Sequence, residues 1–148
     1  MRFLPVLKTR KGKPINFAAL DSRIEKLCTK YNIDLFYVFG SYAGGNTTAL
    51  SDLDLAYYSK KKVAESSLLG ELQDLFEEEA IDLVDIRNAS LPLRHRIFKG
   101  KCLYASSIQV KIEIETRAEA EYFDTAPLRE EYFEKMRERI NCGAFGTG

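Results

Sequence analysis

Apolar residues first recur at helical spacing in Phe17, Leu20, Ile24, Leu27 and Tyr31, with Asn16 placed to cap them, and predict a helix of about four turns. IDLFYVF (33–39) is aromatic and β-branched and ends at Gly40, which predicts a buried strand feeding a turn. Residues 41–50 predict a short helix or helical turn with a loop. DLDLAYY (52–58) alternates acid and leucine, so Asp52, Asp54 and Ala56 share one face of a strand while Leu53, Leu55 and Tyr57 take the other. After a basic turn at 60–62, Leu68, Leu69, Leu72, Leu75 and Phe76 mark a second helix. Its acidic end, Glu77, Glu78 and Glu79, opposes the helix dipole and reads as a solvated exit.

IDLVDI (81–86) predicts a third strand, with Asp82 on the face of Val84 and Ile86 and Asp85 on the opposite one. Asn88 or Ser90 can cap a helix that runs through Ile97 and stops at Gly100, and KCLYA (101–105) offers a last strand. From about Ser107 to Ile140 the chain is charged and amphipathic, with Pro127 opening a new helix. NCGAFGTG reads as a frayed tail, and a short apolar piece, Phe3 to Leu7, precedes a Lys/Gly/Pro turn. Interspersed helices and strands predict a mixed α/β (α+β) fold: a small mixed sheet flanked by helices. We read residues 1–148 as one domain, with a core at about 16–105, a helical segment at about 107–140 and a tail at 141–148.

Composition narrows the function. Basic and acidic residues balance at 22 each, which removes the electrostatic footprint of a general nucleic-acid binder. Cys28, Cys102 and Cys142 are odd in number and far apart, supporting neither a disulfide framework nor a zinc site. No window approaches 18 apolar residues and the first residues do not form a signal peptide, so a cytoplasmic protein with no membrane contact is expected.

The unusual chemistry lies in FGSYAGGNTTALSDLDLAYY (39–58). A buried strand normally excludes charge, yet Asp52 and Asp54 stand on one face of an apolar run, about 7 Å apart along the strand. Two such carboxylates suit hard divalent cations. With magnesium they form a two-metal clamp that orients a nucleoside triphosphate, activates an attacking oxygen and neutralises the leaving pyrophosphate. Gly40 and Ser41, where a strand meets a helix start, offer backbone N–H groups and a hydroxyl to a phosphate chain. Ser41 alone also fits a helix cap and Asp52 a turn cap, but neither use explains Asp54.

His95 is the sole histidine and lacks partners for a metal cluster, so a structural or surface role is expected. Arg94, Arg96, Lys99 and Lys101 form a local basic patch, suited to ATP phosphates, an acidic partner or simply a solvated face. Phe36, Tyr37, Phe39, Tyr57 and Tyr58 belong to the core, whereas Tyr122, Phe123, Tyr132 and Phe133 lie on charged helices and could dock a partner.

Gly40-Ser41, ten residues, then Asp52-Leu53-Asp54 resembles the signature of the DNA polymerase β nucleotidyltransferase superfamily. IDLVDIRNASLPLRHRIFKGKCLYA (81–105) and AEYFDTAPLREEYFEKM, within 119–136, are similar to the minimal nucleotidyltransferase antitoxins of HEPN/MNT toxin–antitoxin pairs, and the likeness runs from about residue 16 to 140. The resemblance implies that Asp52, Asp54 and a third acid hold two magnesium ions. The third acid is Asp82 or Asp85, and Asp82, at the start of its strand, is the better match. Ser41 matches the phosphate-binding serine. Gly44 departs from relatives that carry an arginine there.

What the resemblance implies is transfer of AMP from ATP to a tyrosine hydroxyl of a cognate HEPN ribonuclease toxin, in a hetero-oligomeric complex, which silences the toxin. Two alternatives are transfer to a small molecule, as in aminoglycoside-modifying relatives, and an antitoxin that acts by binding alone.

Overall fold

The computed structural model describes residues 6–8, 14–40 and 52–141. In chain order these form β1 (Val6–Lys8), β2 (Pro14–Asn16), α1 (Asp21–Lys30), β3 (Leu35–Phe39), β4 (Leu53–Tyr58), α2 (Glu65–Phe76), β5 (Ile81–Asp85), a 3-10 turn (Ile86–Asn88), α3 (Leu91–Phe98), β6 (Lys101–Ala105), α4 (Ile108–Asp124) and α5 (Ala126–Asn141). The main sheet has the order β5-β4-β3-β6. β3 runs antiparallel to both β4 and β6, whereas β4 and β5 are parallel and joined through α2.

The period-two alternation divides the core in two. Phe36, Val38, Leu53, Leu55, Tyr57 and Leu103 point to one face, where Ile24 and Cys28 of α1 and Leu68, Leu72, Leu75 and Phe76 of α2 cover them. Leu35, Tyr37, Phe39 and Ala56 point to the other, covered by Ile97, Leu93 and Phe98 of α3 and by Val110 and Ile114 of α4. Each such fully buried aliphatic or aromatic side chain contributes about 1.5–3 kcal/mol. Tyr37 lies in the second layer edge-on to Phe98, with ring centroids 5.3 Å apart. Its hydroxyl donates to the Glu115 carboxylate, which also holds Lys111 at 3.2 Å, so α4 is fastened to the sheet by a polar pin. Burial, and after it that pin, push the phenol's pKa up.

Side-chain caps open two of the helices, α3 and α4. The Ser90 hydroxyl accepts from Leu93 N at 3.3 Å and that of Ser107 from Val110 N at 3.1 Å, satisfying donors that the first helical turn leaves free. Gly100 follows α3, and α5 opens at Ala126 beside Pro127.

Two expectations are corrected and one pairing is added. The first helix is shorter than predicted: residues 17–20 form a turn, with Asn16 Oδ1 accepting from Ala19 N at 3.2 Å, so Asn16 caps this turn and the helix proper begins at Asp21. A hairpin pairs β1 with β2 antiparallel, a contact invisible in three-residue strands. The acidic exit of α2 is not uniformly solvated. Glu77 closes the helix in a left-handed conformation (φ 51°), which turns Glu78 inward to 5% exposure. The predicted helical turn at 41–50, Ser41, Gly44 and the tail from Cys142 lie outside the described residues.

Candidate active site

Asp54 and Asp82 are directly opposite each other in the parallel register of β4 and β5. Both project to the face of Ala56, Val84 and Ile86, as the alternation predicted. Asp82 is exposed on the edge strand and Asp54 is half-buried on its inner neighbour. Asp52, also exposed, stands one residue before β4.

Asp85 is differently engaged. It pairs with Tyr57, on the other face, and its Oδ1 accepts from Arg87 N at 3.0 Å while Oδ2 accepts from Asn88 Nδ2 at 3.3 Å. Its carboxylate caps the 3-10 turn, so the fold gives the two acids of β5 separate tasks.

The turn after β3 completes the arrangement. Phe39 pairs with Asp54, and the next residue, Gly40, has φ +70°. A Cβ built on Gly40 would lie 2.3 Å from Asp54 Oδ2. Only glycine relieves both the backbone strain and this overlap, so the Asp54 carboxylate lies against the peptide of the turn.

Burial raises the pKa of Asp54, with smaller contributions from the charges of Asp82 and Asp52, while Arg96 on α3 pulls it back down. Asp54 therefore senses both other acids, though among the described residues no three His, Cys, Asp or Glu side chains converge closely enough to hold a single ion. An all-oxygen donor set that is mutually unfavourable when ionised is what hard divalent cations neutralise, so Asp52, Asp54 and Asp82 fit magnesium in donor chemistry.

One contributor was missed in the sequence. Glu78 Oε1 accepts from Ala80 N at 3.0 Å, and Ala80 O accepts from Leu53 N at 2.9 Å. Leu53 lies between Asp52 and Asp54, so this buried acid orders the junction where β4 and β5 begin. Nothing in a run of three glutamates signals it. His95, expected to be structural or at the surface, stacks on Tyr122 with centroids 3.9 Å apart; of the four aromatics read as a docking surface, Phe123 is strongly exposed and Tyr122 half-buried, and the side chains of Tyr132 and Phe133 lie outside those described.

A mixed sheet with carboxylates at one strand end, beside a glycine turn, defines a nucleotidyltransferase. The family described as polymerase beta, nucleotidyltransferase matches residues 22–109, and the chain belongs to it. No curated protein matches the chain.

Solved structures share the fold. A toxin–antitoxin crystal structure with AMP-PNP aligns at TM-score 0.68 and 24% identity, over 79% of this chain and 98% of that one. A mutant MntA-HpeT toxin–antitoxin structure gives 0.66 and 26%, over 79% and 97%. The tri-AMPylated Shewanella oneidensis HEPN toxin in complex with MNT antitoxin gives 0.65 and 22%, over 82% and 99%. Among the described residues no helix is long and apolar enough to cross a membrane.

Proposed function

We propose that this nucleotidyltransferase is an antitoxin that transfers AMP from ATP to a tyrosine hydroxyl of a HEPN ribonuclease toxin and thereby silences it. The observation that carries the reading is the in-register pair Asp54 and Asp82 beside the Gly40 turn. The names of the structural neighbours support the acceptor: they include an AMPylated HEPN toxin with its MNT antitoxin, and a complex with an ATP analogue. The cytoplasm, where ATP is made available, is the compartment we assign. Neither nucleic acid nor membrane takes part directly.

In this reading Asp52, Asp54 and Asp82 hold two magnesium ions. Bound there, magnesium supplies charge neutralisation of the phosphates and lowers the acceptor hydroxyl's pKa from about 10. Gly40 and Ser41 cradle the phosphate chain through backbone N–H groups and a hydroxyl. The acceptor oxygen bonds to the α-phosphorus as the bond from that phosphorus to the α,β-bridging oxygen breaks. Pyrophosphate leaves with the electron pair, and the hydroxyl proton passes through Asp82 to solvent. Positioning and charge complementarity supply most of the rate.

The test is to incubate the protein with labelled ATP, magnesium and the HEPN protein, then locate the label by mass spectrometry. Label on a toxin tyrosine, abolished by the Asp52→Asn, Asp54→Asn double variant, is the expected result. If no label enters the toxin and the double variant protects cells as well as wild type, the enzymatic reading is wrong and neutralisation is by binding alone. Label on an aminoglycoside instead would assign the small-molecule alternative.

A further inference from the structure

The sheet face that carries the acids also carries a hollow at its far end. Asp54, Ala56 and Tyr58 alternate onto this face of β4, and Asp82, Val84 and Ile86 onto the same face of β5 and the turn after it. Tyr58 and Ile86 stand four residues beyond Asp54 and Asp82, a run of about 13 Å along the strands. β5 is an edge strand and Val84 is only half-buried, so a strip of sheet between the acids and the hollow is open from that edge.

The hollow measures about 170 Å³. α4 lines it with Ile114, Arg117, Ala118 and Glu121, one stripe of the helix, and α3 with Arg94 and Phe98. Tyr58, Ile86 and Arg87 close the sheet side. The interior is apolar and the rim is charged, with three arginines against one glutamate.

Two of those arginines have donors to offer. Arg94 Nε and Nη2 donate to Ile86 O and Arg87 O at 3.0 and 2.9 Å, which leaves Nη1 with Glu121 4.0 Å away, beyond hydrogen-bond reach. Among the described residues Arg117 pairs with Glu113 alone, at 3.1 Å, and the two side chains are 63% and 64% exposed. An ion pair so exposed contributes about 0–1 kcal/mol, so the guanidinium is easily redirected. Tyr37 and Tyr57 each donate their hydroxyl to a glutamate, whereas that of Tyr58 has no hydrogen-bond partner among the described residues. A half-buried phenol of that kind is a donor left for something that enters.

Size and charge select the occupant. The hollow is smaller than the roughly 300–1,000 Å³ of small-molecule sites, which suits one side chain better than a nucleotide. Its rim calls for an anion, which adenine is not, and the triphosphate is needed at the acids. We propose that the hollow binds a glutamate or aspartate of the protein acceptor and so selects that acceptor, a role that rests on the nucleotidyl-transfer reading above. An extended segment rising about 3.3 Å per residue spans the strip in about four residues, which fixes how far this acid lies from the hydroxyl that receives AMP. The acid's carboxylate accepts from Arg117, Arg94 Nη1 and the Tyr58 hydroxyl, while its stem rests on Ile114 and Phe98.

The test follows AMP transfer from labelled ATP to the HEPN protein by the full chain, at varied acceptor and at varied ATP. In Arg117→Gln, loss of one charge-assisted contact raises the KM for the acceptor about tenfold, with kcat and the KM for ATP unchanged. Tyr58→Phe acts in the same direction, and Arg117→Lys recovers part of the loss. Arg117 is exposed and phenylalanine keeps the ring of Tyr58, so both variants fold, which thermal unfolding checks. On the acceptor, each acid within about five residues of the labelled residue is changed to its amide. One of these changes reproduces the raised KM and does not add to Arg117→Gln.

A raised KM for ATP in place of that for the acceptor overturns the inference, as do effects that add for every acceptor acid. So does a single-stranded RNA oligonucleotide that competes with the acceptor in wild type but not in Arg117→Gln, which would assign the hollow to nucleic acid. If wild type labels no protein, the nucleotidyl-transfer reading itself fails and the inference falls with it. Labelling of the HEPN protein with an acceptor KM unaltered in Arg117→Gln and Tyr58→Phe sinks the hollow alone.

Discussion

Replacing Gly40 with alanine separates the stability of the fold from the placement of the site. At φ +70° an L residue costs about 1–2 kcal/mol. The new Cβ would also sit 2.3 Å from Asp54 Oδ2. That oxygen ends a rotatable side chain, so the carboxylate retreats by about 1 Å at a strain of roughly 0.5–1.5 kcal/mol. The sum, about 1.5–3.5 kcal/mol, lowers Tm by roughly 3–14 °C in a domain of this size and leaves the chain folded at room temperature. A displacement of about 1 Å at a reacting group costs about a hundredfold in rate, so AMP transfer falls far more than stability does.

Gly100→Ala is the control. Its clash is with Val38 O, a backbone atom, and with Phe39 Cβ, neither of which can swing aside. Stability therefore falls more in this variant. Thermal unfolding and transfer of labelled AMP, measured on both variants at a temperature where each is folded, check the reasoning. A Gly40→Ala protein with wild-type Tm and wild-type rate would refute both the close approach and the use of the Asp54 carboxylate.

Further outcomes follow from charge and helix propensity. A raised Asp54 pKa means that its contribution to stability is present below the unfolded-state pKa and lost as pH rises through the folded one, so Asp54→Asn has the higher Tm at pH 7 with a chelator present. A lower Tm there would contradict the cost of burying the Asp54 charge beside the other two acids. Gly70, inside α2, has nothing within 4 Å of its missing Cβ, so Gly70→Ala stabilises by about 0.5–1 kcal/mol, visible as a higher denaturation midpoint.

Glu71 is hydrogen-bonded by Lys30 at 2.8 Å and by the Tyr31 hydroxyl, which hold its carboxyl below the usual range, Lys30 most strongly. Its contribution is present above the unfolded-state pKa, about 4.3, and lost as pH falls through the folded value. The Tm gap between wild type and Glu71→Gln therefore closes on going from pH 7 to pH 3, and a gap unchanged by pH would remove the ionic explanation.

Much of the core was legible in the chain because its causes are local. Alternation placed Asp54 and Ala56 on one strand face and Leu53 and Leu55 on the other, a consequence of the pleat alone. The Gly100 stop and the break before Pro127 were likewise legible, since they rest on backbone chemistry a few residues long. Strand register is not local. Asp82 faces Asp54 because α2 returns the chain parallel to β4 and because Glu78, folded inward at a left-handed residue, fastens Ala80 to Leu53. In sequence Asp82 and Asp85 were rivals; in the fold, one stands beside the other acids and one caps a turn. Arg94 and Arg96, two residues apart on one helix, were a single patch until the fold turned one onto the carbonyls of the 3-10 turn and left the other exposed. The sequence by itself determined the residue types and the face each occupies on its own element, whereas only the tertiary structure decided which faces meet, since that depends on contacts between residues far apart in the chain.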